Sequence, residues 1–259
     1  MSTLDFERNA AFHDEIAPEY DSRLIASPED TLARKAFQQL LALHVPAGAT
    51  VLDFGCGTGI DALAYARQGY RVLAYDNSPG MVAELRNRCH REIADGTVTP
   101  YSLSYPAFLE NLGRWPKPDV VTANFAVLNS IRDLPPLFEA LHRHLSPGGW
   151  LLASVLNPLH WSKVKTWGWW RDAWRAPRGP RLHIRDPYAS YLHFLPETLR
   201  AARGFHLVGR ANAGAMVRYD EARAQPLYWN GPAKGEWLWH TPAYKLLGHF
   251  VFLVLRRTG

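Results

Sequence analysis

The chain has 259 residues, of which 47% are hydrophobic and 20% charged, so it is not an intrinsically disordered protein and can bury one large core. Its net charge of +5 is spread among acidic residues, unlike the concentrated basic segments of nucleic-acid binders. Two cysteines, Cys56 and Cys89, exclude a disulfide framework and a four-cysteine zinc site. Because the N-terminus lacks a basic-then-apolar leader and no apolar run reaches about 20 residues, we expect a cytoplasmic protein.

The N-terminal segment, residues 1–48, is predicted to form a helical cap. Phe12, Ile16 and Tyr20 recur at four-residue spacing and therefore share one face of a first helix. A second helix is predicted to begin at Ser27-Pro28-Glu29-Asp30, where a capping hydroxyl, a first-turn proline and two acids combine. It continues almost to the end of the segment.

Short apolar runs alternate with amphipathic ones over residues 49–156. Strands are predicted over 50–54, 71–75, 98–102, 119–125 and 150–156, and helices over 60–68, 79–92 and 134–145. This alternation predicts βαβ units with right-handed crossovers, and therefore a doubly wound α/β fold with a mostly parallel sheet.

The alternation stops after the fifth predicted strand. A helix is predicted over 196–203 and strands over 205–209 and 248–256, with irregular insertions at 157–190 and 211–243. Eight of the ten tryptophans lie beyond that fifth strand, which makes both insertions rich in aromatic residues.

A glycine-rich turn follows the first predicted strand, in Val51-Leu52-Asp53-Phe54-Gly55-Cys56-Gly57-Thr58-Gly59. Glycines let the backbone approach a ligand closely, and the helix that follows presents unpaired N–H groups. Asp76 closes the next strand, near the offset of about twenty residues at which an acid binds ribose hydroxyls. The pattern predicts a cofactor of the adenosine type. A nicotinamide cofactor is disfavoured because Ile60 occupies a position where that fingerprint has glycine.

The glycines at 55, 57 and 59, with the acid at 53, resemble motif I of the class I S-adenosylmethionine-dependent methyltransferases. The resemblance continues after the second strand, at the fourth strand, before the fifth strand and in the N-terminal helix, in Tyr75–Met81, Asp119–Phe125, Leu145–Leu152 and Phe12–Asp21. The last of these is similar to the ubiquinone/menaquinone-type small-molecule branch. The family resemblance implies a Rossmann-like fold with a seven-stranded sheet in a single domain, 1–259.

The resemblance also implies S-adenosylmethionine as the cofactor and a set of contacts to it. These are Asp53, Gly55, Gly57 and Gly59 for the methionine part, Tyr20 for its carboxylate, Asp76 and Asn77 for the ribose, Met81 for the adenine, and Asn124 and Phe125 for the methyl-donor region. Met81 also fits an ordinary core position. The family often has an acid after strand 3 for the adenine amino group, and here Ser104 or a backbone carbonyl is expected to replace it.

Transfer to a hydroxyl benefits from a general base, for which the sequence offers three histidines. His160 follows the fifth strand, His193 precedes a predicted helix and His13 lies on the first helix. His160 is preferred because strand ends face the ligand crevice in this topology, although each histidine also fits a packing role. Magnesium-dependent catechol-type enzymes have acids near the end of strand 4, where this chain has Asn124 and Asn129, so no metal is expected.

The first insertion predicts a helix with one aromatic face, because Trp161, Val164, Trp167, Trp170 and Trp174 follow steps of three and four residues. Three interpretations stay open. The helix packs as a lid on the sheet; or, with Trp229 from the second insertion, it roofs a pocket for an apolar or aromatic acceptor; or it contacts a membrane surface.

The sequence therefore predicts a methyltransferase that acts on a hydrophobic or aromatic small molecule, with O-methylation favoured over N- or C-methylation. Enzymes that methylate the amino groups of bases or glutamine carry Asn/Asp-Pro-Pro-aromatic after strand 4, unlike Asn124-Phe125-Ala126-Val127 here. Nucleic acid is accordingly not favoured as the partner. A non-catalytic S-adenosylmethionine-binding regulatory subunit and an RNA-directed methyltransferase remain the alternatives, and the oligomeric state is open.

Overall fold

The computed structural model describes residues 3–25, 28–158, 181–185, 188–213, 218–220, 225–227 and 250–259. Two helices come first, α1 (Thr3–Ile25) and α2 (Pro28–His44), as predicted. The helices that follow are α3 (Ile60–Arg67), α4 (Pro79–Arg88), α5 (His90–Ala94), α6 (Tyr105–Asn111), α7 (Pro135–His144) and α8 (Leu195–Ala201), with short 3-10 turns at Leu112–Arg114 and Val127–Ser130. Within the described residues, no helix is both long and apolar enough to cross a bilayer.

The strands are β1 (Thr50–Phe54), β2 (Arg71–Asp76), β3 (Val98–Ser102), β4 (Val120–Ala123), β5 (Trp150–Leu156), β6 (Arg181–Arg185), β7 (Tyr188–Leu192), β8 (Phe205–Ala213), β9 (Arg218–Asp220), β10 (Gln225–Leu227) and β11 (Phe250–Arg257). Seven of them form one sheet in the order β3-β2-β1-β4-β5-β11-β8. The first five strands of that order are parallel, whereas β11 is antiparallel to both of its neighbours. This confirms the predicted seven-stranded, mostly parallel sheet. The pairs β6–β7 and β9–β10 are separate antiparallel hairpins.

Both faces of the sheet are covered, so its central strands are mostly apolar. On β1, Leu52 and Phe54 pack into the cluster on one face and Val51 packs into the cluster on the other. All five residues of β1 are buried. The buried charged residue among them is Asp53, which lies beside Thr122 of β4 in the sheet register.

The structure differs from the sequence predictions in several places, one of which is the β9–β10 hairpin inside the second insertion, a segment predicted to be irregular. The helix predicted over 79–92 is divided at Cys89, whose backbone leaves the helical region. Helix α6 was not predicted, although Ser104 caps it through the Ala107 N–H, 3.4 Å from the serine hydroxyl. The first insertion contains the β6–β7 hairpin, and His160, Trp161, Trp167 and Trp170 lie outside the described residues, as does Trp229 of the second insertion.

Candidate active site

A cavity of about 460 Å³ lies at the carboxyl ends of β1, β2 and β4. Helix α1 forms one wall, and its lining residues recur at three- and four-residue steps: Phe6, Asn9, Phe12, His13, Ile16 and Tyr20. The helix face predicted from Phe12, Ile16 and Tyr20 is therefore the face that meets the cavity. This edge of a parallel sheet is where α/β proteins bind their ligands.

Helix α1 is held across the cavity by polar contacts with separate elements. The Asn9 amide pairs with the backbone of β7, donating and accepting at 2.8 Å each. The Asp14 carboxylate accepts from the Gly80 N–H at 2.7 Å, and Asp21 forms an ion pair with Arg88 of α4. The wall thus has a fixed position relative to the sheet.

The glycine-rich turn has backbone geometry that only its glycines adopt readily. Gly55 has φ +77, and a Cβ there would lie 2.3 Å from Val127 Cγ2. Gly57 has φ +53, and a Cβ there would approach Tyr20 Cε1 at 3.9 Å, in space that belongs to the cavity. Gly59, at the start of α3, has φ +82 and lies against Leu85 of α4. It does not line the cavity.

The Asp76 carboxylate is fixed at the end of β2 by two backbone donors. Its Oδ2 accepts from the Gly57 N–H and its Oδ1 from the Ser78 N–H, both at 2.9 Å. Burial raises the pKa of Asp76, against the lowering effect of these hydrogen bonds and of His13. Each oxygen keeps a further lone pair that can accept from a hydroxyl of a bound ligand.

Two neighbours of Asp76 also line the cavity. Asn77 donates to the Phe6 carbonyl at 3.5 Å, which links β2 to α1. Met81 is 1% exposed, and its N–H is 3.1 Å from the Ser78 hydroxyl that caps α4. Met81 is thus both a core residue and a wall residue, so its two interpretations are compatible.

Asp53 lies beneath the glycine-rich turn rather than in the wall of the cavity. Its Oδ1 accepts from Thr122 at 2.9 Å, and among the described residues its Oδ2 has no hydrogen-bond partner. Burial, together with the nearby Asp61 carboxylate, raises the pKa of Asp53 to about 8. A positive charge bound nearby would stabilise the ionised form of Asp53 and lower this pKa.

Of the three candidate histidines, the described structure places only His13 in the cavity. Its Nδ1 is 2.7 Å from the Asn9 carbonyl, which can only accept, so Nδ1 carries the proton and Nε2 is the nitrogen that can accept one. His193 is buried away from the cavity, with Nε2 2.7 Å from the Ile131 carbonyl. Burial lowers the pKa of His193, so the structure favours a neutral packing histidine there.

Sequence reasoning missed several aromatic residues of the cavity. Tyr105 stacks on Phe6 with ring centroids 4.4 Å apart, and Tyr188 stacks on Phe12 at 5.2 Å. The Tyr105 hydroxyl is buried and has no hydrogen-bond partner among the described residues. Ser104, predicted to contact the adenine, does not line the cavity because it caps α6 instead. The Ser-Tyr-Pro start of α6 is the local signal that could have revealed this arrangement.

Asn124 and Phe125, which follow β4, both line the cavity. Their turn is unusual because Phe125 and Ala126 have φ of 51 and 60 without being glycines.

Burial raises the pKa of Tyr20 to about 12, so its phenol stays protonated and can donate a hydrogen bond at neutral pH. Within the described ranges, no group of three or more His, Cys, Asp or Glu side chains is arranged to hold a metal ion.

Comparisons with known proteins agree with this geometry. Residues 25–189 match the family model described as a methyltransferase domain. Malonyl-[acyl-carrier protein] O-methyltransferase of Serratia marcescens is 29% identical over 59% of this chain and 57% of its own length. Demethylmenaquinone methyltransferase of Beutenbergia cavernae is 27% identical over 83% of this chain and 90% of its own. The chain thus spans little more than half the length of the first relative and most of the second.

The fold is also similar to solved structures. The crystal structure of Burkholderia thailandensis 1,6-didemethyltoxoflavin-N1-methyltransferase contains 1,6-didemethyltoxoflavin and S-adenosylhomocysteine. It is 20% identical, with a TM-score of 0.60, and the match covers 98% of this chain and 91% of that one. At this identity the match establishes a shared fold.

Proposed function

The chain belongs to the methyltransferase domain family, as a class I S-adenosylmethionine-dependent methyltransferase of the small-molecule type, and from this membership we propose its reaction. The reaction is transfer of the methyl group of S-adenosylmethionine to a hydrophobic or aromatic small molecule, with oxygen as the methylated atom. The observation that carries the proposal is the cavity itself, where the glycine-rich turn and the fixed Asp76 carboxylate face an aromatic wall on α1.

In this proposal the cofactor lies along the carboxyl ends of β1 and β2. Asp76 accepts from the two ribose hydroxyls, and Gly55 and Gly57 border the methionine part. Tyr20 donates to the methionine carboxylate, which its proximity to the Gly57 position supports. The ammonium group lies nearest Asp53, whose unpartnered oxygen provides negative charge once the proton is lost.

The remaining cofactor residues have supporting roles in the proposal. Asn77 and Met81 flank the ribose and adenine, Asn124 and Phe125 border the methyl group, and Gly59 shapes the start of α3. For Ser104 we propose no contact, since its hydroxyl caps α6.

Methyl transfer is an in-line displacement, in which the sulfur–methyl bond breaks as the oxygen–methyl bond forms. Alignment of donor and acceptor supplies much of the rate enhancement in such reactions. The sulfonium becomes a neutral thioether, so charge is lost at the reacting centre, and apolar walls such as Phe12, Tyr188 and Phe6 favour that change.

We propose that His13 is the general base that accepts the proton of the acceptor hydroxyl. Its Nδ1–H is bonded to the Asn9 carbonyl, so the ring presents Nε2 as a base. O-methylation is further supported by relatives named as O-methyltransferases, among them the malonyl-[acyl-carrier protein] enzyme. His160 remains a second candidate base. Trp161, Trp167, Trp170 and Trp229 are proposed to roof the acceptor.

Calorimetric titration with S-adenosylmethionine and tritiated-methyl transfer to a metabolite extract test the function together. We expect stoichiometric binding and label in a low-molecular-mass, solvent-extractable product. Binding without labelling would favour the regulatory-subunit alternative, and label confined to RNA would favour the RNA-directed one. Absence of binding would refute the proposal.

A further inference from the structure

The turn that follows β4 is strained at two successive residues. Phe125 and Ala126 lie in the left-handed region, at φ 51 and 60, where a Cβ atom carries a steric cost. Both residues line the cavity. Strain of this kind persists only where neighbouring groups hold the backbone, and it concentrates at ligand sites.

Two polar side chains hold the strained backbone. Asn124 Oδ1 accepts from the Phe125 N–H at 2.9 Å and from the Ser154 hydroxyl at 3.1 Å. The Ser154 oxygen in turn accepts from the Ala126 N–H at 3.2 Å. The amides of both strained residues therefore depend on one Asn124–Ser154 pair.

The Asp61 carboxylate selects the orientation in which Asn124 can do this. Asn124 Nδ2 donates to Asp61 Oδ2 at 3.1 Å. If the amide were flipped, its oxygen would face the carboxylate and its NH₂ group would face another donor, the Phe125 N–H. Both contacts would be repulsive, so an anion at Asp61 fixes the direction of the hydrogen bonds.

Helix α2 holds Asp61 and covers the same turn. Gln38 Nε2 donates to Asp61 Oδ1 at 2.8 Å, and Arg34 forms an ion pair with Asp61 Oδ2. The Arg34 guanidinium also lies over the Phe125 ring, with Cζ 4.2 Å from the centroid. The Asp61 side chain is only 7% exposed. A buried ion pair of this kind adds little net stability, so we look for its role in the side chains that it positions.

We propose that Asp61 is a positioning residue for the cofactor site. It keeps Asn124 and Phe125 in the geometry in which they contact the bound cofactor, and it joins the glycine-rich segment, the strained turn and α2 into one unit. The inference rests on the function proposed above. Asp61 itself does not line the cavity, so its effect passes through Asn124.

The test is the affinity of each variant for S-adenosylhomocysteine, measured by calorimetry at a temperature where urea titration shows the variant to be folded. Asp61→Asn removes the negative charge that fixes the Asn124 amide and replaces one of the two acceptor oxygens by an NH₂ group, and we expect Kd to rise at least tenfold. Asp119→Asn is the control for an aspartate-to-asparagine exchange that does not touch the cavity, because Asp119 accepts from the Thr50 N–H at 2.9 Å at the start of β1, the opposite end of that strand from the cavity. Its Kd is expected to stay within twofold of the wild type.

Exchanging the two side chains in a double variant tests the hydrogen bond itself, because a merely structural role of Asp61 would not predict recovered affinity. D61N/N124D reverses the Asp61–Asn124 hydrogen bond, and the introduced carboxylate can still accept from Phe125 and Ser154. We expect it to bind more tightly than D61N alone. If D61N does not fold, Arg34→Met removes the ion pair and the guanidinium over Phe125 while keeping an unbranched side chain, and Kd is expected to rise at least threefold.

The outcomes separate this inference from the function on which it rests. Wild-type protein that binds no S-adenosylhomocysteine would overturn the function. The inference alone would be overturned if D61N, or R34M in its place, bound within twofold of the wild type. It would equally be overturned if D119N lost as much affinity as D61N, or if the exchange bound no more tightly than D61N.

Discussion

Gly57→Ala separates the two roles that a glycine in the cofactor turn can have, conformational freedom and open space. The φ of +53 lies in the left-handed region, which an alanine adopts at a cost of about 1 kcal/mol. Among the described residues, and apart from the chain neighbours of Gly57, the added Cβ would have only Tyr20 Cε1 within 4 Å, at 3.9 Å. The fold can therefore accept the methyl group, and we expect a loss of about 1 kcal/mol in the free energy of unfolding.

Binding is expected to suffer more than folding does. The new methyl group occupies the space between the turn and Tyr20, where the methionine part of the cofactor is proposed to lie. Loss of one hydrogen bond to a charged group costs about 1.5–3 kcal/mol, or about 10- to 150-fold in Kd. Calorimetry with S-adenosylhomocysteine measures this loss, and urea titration measures the stability.

Gly48→Ala is the matched control. Gly48 has φ +88, no atom of the described part of the chain lies within 4 Å of an added Cβ, and it does not line the cavity. We expect a similar or slightly larger loss of stability and an unchanged Kd. Equal affinities for the two variants would show that the ligand does not approach Gly57, and the placement of the cofactor would be wrong.

Three further predictions address single side chains. The native pKa of Asp53 is about 8, whereas an unfolded aspartate titrates near 3.9, so between these pH values the native state holds a proton that unfolding releases. Stability should therefore fall as pH rises from about 4 to 8, with the unfolding constant increasing by at most about tenfold per pH unit. Asp53→Asn should flatten this dependence in urea titrations at pH 5 and pH 8. Tyr105→Phe removes a hydroxyl without a described partner and should leave the free energy of unfolding unchanged or raise it by up to about 1 kcal/mol. Tyr70→Phe loses a 2.8 Å hydrogen bond to the Val45 carbonyl and should lower the free energy of unfolding by about 1 kcal/mol. Equal losses in the two variants would contradict the statement that the Tyr105 hydroxyl is unpartnered. His13→Gln should lower the methyl-transfer rate by about 100-fold or more with little change in cofactor affinity, and His90→Gln, whose Nδ1 also meets a backbone carbonyl but which is exposed, should leave the rate unchanged.

The sequence predicted what is encoded in short contiguous segments. The glycine-rich turn, Asp76 and the α1 face of Phe12, Ile16 and Tyr20 could be recognised because backbone conformation and helical periodicity are local properties. The same holds for the order of strands and helices, which follows from alternating apolar periods.

Contacts between distant segments could not be predicted in this way. The Arg34–Asp61 pair joins two helices that only the fold brings together. The left-handed turn at Phe125 carries no glycine to mark it, because side chains from β5 and α3 hold it in place. His193 was a reasonable candidate from its position before a helix, but the packing of β7 against the segment after β4 directs it to a backbone carbonyl.

The placement of β11 has a consequence for how the chain is made. Residues 250–257 pair with β5 on one side and β8 on the other, so the strand that joins these two is synthesised after both of them. During translation both partners present unpaired backbone groups along an open edge, a state prone to association with other chains. A ribosome stalled before codon 250 would therefore hold a polypeptide with the glycine-rich turn already synthesised and the sheet still divided.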